Sequence, residues 1–206
     1  AVLNLLIEYL GFGVFEMTMA PTWCFFQAVL FTRILDAQGR IDDLHKETVD
    51  LPSERTRLEK EKEDQQRIIP ESERDIDQMR NLLARPIYAA AGIPMPHPMR
   101  EVYAAAAPII PTGKPHGELV PFVGEAVLRC REGVELILNV SPQGCMVSGM
   151  GEMLIPSILE QGNAAGSTVI ASLYSQDGEI DEEQLRLALL KSLGDRWGGV
   201  LPAAAP

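Results

Sequence analysis

The residues best equipped for chemistry lie in one stretch, Val134 to Met153, reading VELILNVSPQGCMVSGMGEM. Cys145 sits in its middle, after Ser141-Pro142 and among Gly144, Gly149 and Gly151. A thiol in such a turn has three uses: a nucleophile, a metal or iron–sulfur ligand, or a small inert loop residue. A nucleophile needs a paired base, and none of the three histidines, His45, His97 and His116, stands at a spacing that assigns it that task. A cluster needs more sulfur than one loop provides. With only Cys24, Cys130 and Cys145, a four-thiolate site within this chain is impossible, so a cluster would need a second chain, further residues or a non-cysteine ligand. Gly149 and Gly151 also belong to a partial dinucleotide fingerprint, GMGEML, which lacks the third glycine and an acidic residue ending the next strand. A nucleotide- or CoA-binding module using these two glycines as a phosphate-approach loop is a further alternative.

The elements around this stretch place it. Val134 to Val140 is a short, mostly apolar run that fits a strand buried in a parallel sheet, although pattern alone leaves a buried helix open. Helical spacing resumes near Met150 and continues through Met153, Leu154, Ile158 and Leu159. Before the strand, Phe122 to Arg131 reads as a helix with Val123, Ala126, Val127 and Cys130 on one face, which makes Cys130 a core residue, and Gly133 closes it. After a turn at Gly162–Gly166, Ser167 to Tyr174 (STVIASLY) is rich in strand formers. Asp181-Glu182-Glu183-Gln184 then has the form of a capping box opening a helix with Leu185, Ala188, Leu189 and Leu193 inward and Gly194 past its end. The order α-β-α-β-α predicts an α/β fold, a Rossmann-like open parallel sheet in the carboxyl-terminal half, with a helical amino-terminal region. The Cys145 loop and the Ser175–Gly178 loop then leave the same edge of the sheet, where sites in such folds are built.

The rest of the chain divides by composition. Residues 1–39 are apolar, with a helix at Leu3, Leu6, Ile7 and Leu10, a strand at Val14 to Met19, and a helix from Phe25 to Leu35 ended by Asp36–Gly39. Cys24 sits at the start of that helix, among Trp23, Phe25 and Phe26, surroundings of an inert thiol more than of an activated one. Residues 40–85 form a charged helical arm or linker: Ser53 to Arg67 with a single large apolar residue, Leu58, capped by Ser53 and supported by Glu63 with Arg67, then a second helix opened by Pro70 with Ile76, Met79 and Leu83 on its narrow apolar face. Such a pair suits a hairpin that contacts another subunit. Residues 86–116 are a proline-rich connection, expected to be extended, where His97 and His116 read as loop residues. The α/β domain covers 117–195, and 196–206 is a tail. A net charge of −11 with interleaved acids and bases argues against nucleic acid as a partner. Three scattered cysteines point to a reducing, cytoplasmic setting. The apolar opening is broken by Glu8, Glu16 and Arg33, so no membrane span is expected, and no signal peptide is expected either, for want of a basic start. The start at Ala1 and the alanine clusters at Ala89–Ala91, Ala104–Ala107 and Ala203–Ala205 leave three readings open: a fragment of a longer chain, alanines that stand for unidentified side chains, or genuine alanine runs.

Three segments, GELVPFVGEAV (Gly117 to Val127), NVSPQGCM (Asn139 to Met146) and LYSQDGEIDEEQLRLAL (Leu173 to Leu189), together resemble the 2-hydroxyacyl-CoA dehydratase and benzoyl-CoA reductase family. The likeness is to the related carboxyl-terminal regions of acyl-CoA dehydratase activases in particular. It runs over about 75 residues, and the cysteine turn, of the kind P-F-x-C-M-P, is its most specific part. Gln143-Gly144 replaces the usual aromatic-containing pair, Val147-Ser148 stands where proline and glycine are common, and Tyr174-Ser175-Gln176-Asp177 permutes the expected Y-D-x-Q. The resemblance implies a subunit of an iron–sulfur redox system in low-potential electron transfer to a CoA thioester. It implies Cys145 as ligand to a cluster, of the 4Fe-4S kind and shared between chains, with Asn139, Ser141 and Gln143 hydrogen-bonding around it. Its implied partners are a protein subunit or electron-transfer protein, an acyl-CoA, and further copies in an oligomer. A non-catalytic scaffold or assembly subunit, holding a partner through the arm or the apolar amino-terminal segment, is the alternative.

Overall fold

The structure is a computed structural model that describes residues 22–47, 52–92, 95–112, 118–162, 168–176 and 179–196. The helix expected at Leu3–Leu10, the strand at Val14–Met19, His116 and the tail from 197 lie outside the described residues, as does the side chain of Cys24. The chain forms two compact units. One is built from Glu101–Ile110 and the described residues from 118 onward, the other from the described residues up to Arg100 with Pro111 and Thr112.

The second unit is helical. Helix α1 (Thr22–Lys46) packs along α2 (Pro52–Gln78), and the chain continues through a π-helical segment, Met79–Ala84, into α3 (Arg85–Ala91). Ala28, Phe31, Ile34, Ala37 and Leu44 bury one stripe of α1 at spacings of three and seven. This helix runs beyond the end expected at Asp36–Gly39, because Gly39 has open space around it and the buried stripe continues to Leu44. Nor is α2 the two helices expected: Pro70 lies inside it, at an exposed position where the carbonyl it leaves unbonded can turn to water. The polar sequence of α2 still makes a stripe. Leu58, Glu61, Lys62, Gln65, Ile68, Ile69, Ser72 and Ile76 are half-buried or buried at helical spacing, so long side chains lay their stems where apolar residues are missing. Arg67 pairs with Asp64 and Glu71 instead of Glu63. Between the prolines the chain is not simply extended: α3 has Pro86 in its first turn, where the missing N–H costs nothing, and α4 (Met99–Ala106) carries the chain on into the other unit.

That unit follows the expected order. Helix α5 (Leu119–Arg131) precedes β1 (Leu136–Pro142); α6 (Met146–Met153) and α7 (Ile155–Gln161) lead to β2 (Val169–Gln176), then a two-residue β3 (Glu179–Ile180) and α8 (Glu182–Arg196). Strands β1 and β2 are parallel, in register from Leu136 opposite Val169 to Pro142 opposite Ser175, and β3 pairs antiparallel with β2. The described chain is therefore mostly helical, with a small sheet containing one parallel strand pair. The helix expected to run on from Met150 is two, because Pro156 has no N–H for the carbonyl of Glu152, and the chain turns at Leu154. Gly133, at φ +80°, adopts the left-handed turn that ends α5, while Gly194 lies within α8, not past it. Val123, Val127, Ile158, Leu173, Leu185 and Leu189 form the core, and Cys130 is buried among them as expected. Only half of the capping box forms. Glu183 N–H donates to Asp181 Oδ1 (2.9 Å), but Gln184 Oε1 accepts from the Tyr174 N–H on β2 (3.3 Å).

Candidate functional site

Directly opposed residues of parallel strands share a face, and side chains two apart along a strand share it too. Asn139 and Ser141 on β1, opposite Ser172 and Tyr174 on β2, therefore make two polar rungs near the carboxyl ends of the pair. Helix α6 supplies Ser148 and Glu152 to this polar face, one helical turn apart. Asn139 Nδ2 donates to the Ser148 carbonyl and to Ser172 Oγ, both at 3.3 Å, tying the helix to both strands. Tyr174 Oη donates to Glu152 Oε2. Gly151 permits the close approach: a methyl there would meet the Phe122 ring at 2.8 Å and Asn139 Nδ2 at 3.7 Å.

Two hydroxyls at this face make no hydrogen bond of good geometry, although Ser148 lies close enough to the Tyr174 phenol to favour its ionised form. Ser148, only 3 % exposed, carries one of them and Ser141 the other. A buried hydroxyl without a partner is costly, and sites that bind something are where such groups are kept. The Glu152 carboxylate holds the Tyr174 phenol above the usual tyrosine range, while the nearby hydroxyls of Ser172 and Ser148 pull the other way. None of these six residues is a cation. The set is a neutral array of hydroxyl and amide groups beside one carboxylate, suited to a carbonyl, amide or hydroxyl and ill suited to a phosphate.

Cys145 is the N-cap residue of α6, half-buried and not in a disulfide. Its N–H donates to the Pro142 carbonyl (3.2 Å), and its carbonyl accepts from Gly149 N–H (3.0 Å). Gly144 before it, at φ +81°, supplies the left-handed residue of the turn. Gln143 is exposed; its N–H donates to the Ser175 carbonyl (2.8 Å), which brings the ends of β1 and β2 to one edge as the parallel order requires. Gly149 has open space where a side chain would be, whereas Gly151 is taken up by Phe122. Of the residues singled out in the sequence, Asn139 and Ser141 meet in the polar rungs. Ser148, Glu152, Ser172 and Tyr174 were not anticipated. Their trace in the sequence is the polar alternation Asn139/Ser141 and Ser172/Tyr174 inside two apolar runs.

Among the described residues no group of three or more His, Cys, Asp or Glu could hold a metal ion. One thiol does not make the donor set of an iron–sulfur cluster, so these residues do not by themselves fit one. The burial that makes Cys130 a core residue pushes its thiol up, against a smaller opposing effect of the Thr168 hydroxyl. No helix among the described residues is long and apolar enough to cross a membrane. No protein-family model, curated protein sequence or solved structure matches this chain.

Proposed function

We propose that the chain is an α/β subunit of a larger redox assembly of the acyl-CoA dehydratase kind, and that it binds the thioester end of its ligand at the carboxyl edge of β1 and β2. The parallel pair, with helices before, between and after it, supports a Rossmann-like reading of this unit, in which that edge is the usual place for a ligand. The observation that carries the proposal is the Ser148 hydroxyl, buried and without a hydrogen bond of good geometry beside the Tyr174–Glu152 pair. A thioester carbonyl would accept from it, and an amide N–H of the ligand's arm would donate to the free oxygen of Glu152. With no cation in the set, the phosphates of a CoA ligand would lie elsewhere. Calorimetric titration of the purified chain with acetyl-CoA tests this. Binding by the wild type, weakened about tenfold in Ser148→Ala and in Tyr174→Phe, supports the proposal; absence of binding, or equal binding by the variants, overturns it.

A second reading has its own observation: Cys145 is a free, half-buried thiol at the same edge. If a cluster belongs to this system, Cys145 is one ligand and the others come from outside the described residues, so the cluster is shared with a partner chain in an oligomer. A reducing, cytoplasmic setting goes with that reading. Iron and acid-labile sulfide in protein purified without oxygen, lost in Cys145→Ser, would support it; their absence from a folded, reconstituted sample would end it.

A further inference from the structure

Strand β1 has one paired side and one open side. Val169 N–H donates to the Glu135 carbonyl and Gln143 N–H to the Ser175 carbonyl, both at 2.8 Å. With Leu136 opposite Val169 and Pro142 opposite Ser175, this parallel ladder engages the odd-numbered residues of β1. It turns the backbone N–H and C=O of Leu136, Leu138 and Val140 away from β2. Among the described residues β1 pairs with β2 alone. Burial agrees: no residue of β1 is buried and Val140 is 51 % exposed, whereas β2 buries Val169, Ile170 and Leu173. A run such as LILNV has the composition of a covered strand, yet no charge, proline or bulge between Leu136 and Val140 guards its open side. That side is closed at both ends, at equal distances from Leu138. Four residues before it, Val134 N–H donates to the Arg129 carbonyl (3.1 Å) and the Val134 carbonyl accepts from the Thr168 hydroxyl (2.7 Å). Four residues after it, Pro142 has no N–H, and its carbonyl accepts from Cys145 N–H (3.2 Å).

A strand that complements this row must offer the same groups over the same length and stop at the same places, and β1 itself does so when run antiparallel. We propose that the open side of β1 pairs with β1 of a second copy of this chain, about a two-fold axis at Leu138. Leu138 then lies opposite the partner's Leu138, and Leu136 opposite the partner's Val140, each pair exchanging both backbone hydrogen bonds. Val134 falls opposite the partner's Pro142, where neither asks for a further bond. The side chains of Leu136, Leu138 and Val140 share one face, so the pairing also joins two short apolar rows across the axis. Charge selects the same arrangement. Glu135 is the one ionisable residue from Val134 to Pro142, and the two-fold sets it opposite the partner's Ser141, whereas in-register parallel pairing would set two carboxylates side by side. Such a contact is isologous and uses up the open side, so it closes at two chains. It does not rest on the ligand proposed above, which meets the opposite face of β1.

The test is sedimentation equilibrium of the full chain over a range of concentrations, joined to amide hydrogen exchange. The expected result is a species of twice the 22.6 kDa of one chain, with the amides of Leu136, Leu138 and Val140 becoming protected as it forms. Val140→Lys leaves the β1–β2 ladder intact and puts a charge where it keeps other strands away. It should weaken dimerisation at least about tenfold and return those amides to fast exchange. Val140→Pro removes an N–H that β2 does not use and should weaken the dimer likewise; circular dichroism at the wild-type level shows that both variants fold. Leu187→Lys, at an exposed apolar residue of α8, should leave the dimer unchanged. A chain that stays monomeric up to about 1 mM overturns the proposal. So does a dimer whose β1 amides exchange as fast as in the monomer, a folded Val140→Lys variant that dimerises as tightly as wild type, or a dimer lost only in Leu187→Lys.

Discussion

Tyr174 donates to Glu152 a hydrogen bond that neither strand nor helix would place alone, and the titration of its phenol is the sharpest local consequence of the site. The phenol is raised in the folded chain by the carboxylate beside it, whereas in the unfolded chain it ionises near the ordinary value of about 10. A raised folded value means that the contribution to stability is complete below that ordinary value and is lost as pH rises through the folded one. The Tyr174 step should thus come late in a phenolate absorbance titration, and Glu152→Gln should bring that step down. If the late step survives in Glu152→Gln and disappears in Tyr88→Phe or Tyr103→Phe, the pair is not its source. The serines act at the same scale. Ser148→Ala removes a buried hydroxyl that makes no hydrogen bond of good geometry, so in the absence of ligand it should cost little stability or raise it slightly. Chemical denaturation checks this.

At the scale of elements, α5 is the member that most constrains the α/β unit. A methyl at Gly124 would overlap the carbonyl of Val102 on α4, and backbone cannot swing aside as a side chain can. Gly124→Ala should therefore destabilise by roughly 3 kcal/mol or more as the two helices separate, read as a lowered denaturation midpoint with the α/β unit still identifiable by its circular dichroism. The same helix carries a buried ion pair, Arg129 Nε to Glu125 Oε1 at 3.0 Å, extended by Arg129 Nη1 to Glu132 Oε2 at 2.8 Å. Removing the buried acid strands a buried cation, so Glu125→Ala should cost about 3 kcal/mol; in contrast, Glu132→Ala, at a half-exposed carboxylate, should cost well under half of that. The elements of this unit were legible in the sequence because each carries its own period and its own stop: Gly133 after α5, the strand formers of Val169–Tyr174, Asp181 before α8. The helical arm was less so. Pro70 looks like a start, yet it sits inside one long helix, since one lost hydrogen bond on an exposed face is outweighed by the packing of α1 along the whole of α2. Asn139 and Ser141 stand out in the sequence because they are local to the cysteine turn, and both fall on the polar face of the strand pair. Ser172 and Tyr174 do not, because only the pairing register, 33 residues away, brings them opposite.

At the scale of the whole molecule, the two units differ in composition. The helical unit carries most of the charge on α2, with ion pairs such as Arg40 Nε to Glu61 Oε1 at 2.7 Å. This pairing raises Arg40 and lowers Glu61 from their ordinary values, yet both are solvent-facing, and such pairs add little to stability. The α/β unit carries the polar edge, and the account stands or falls on whether that edge takes a ligand. The measurement that tests it most directly is nuclear magnetic resonance mapping of acetyl-CoA onto the isotopically labelled chain. The account predicts saturable shifts at Asn139, Ser148, Glu152, Ser172 and Tyr174, with the amides of α1 and α2 unmoved. Shifts confined to other residues, or none at saturating acetyl-CoA, would contradict it.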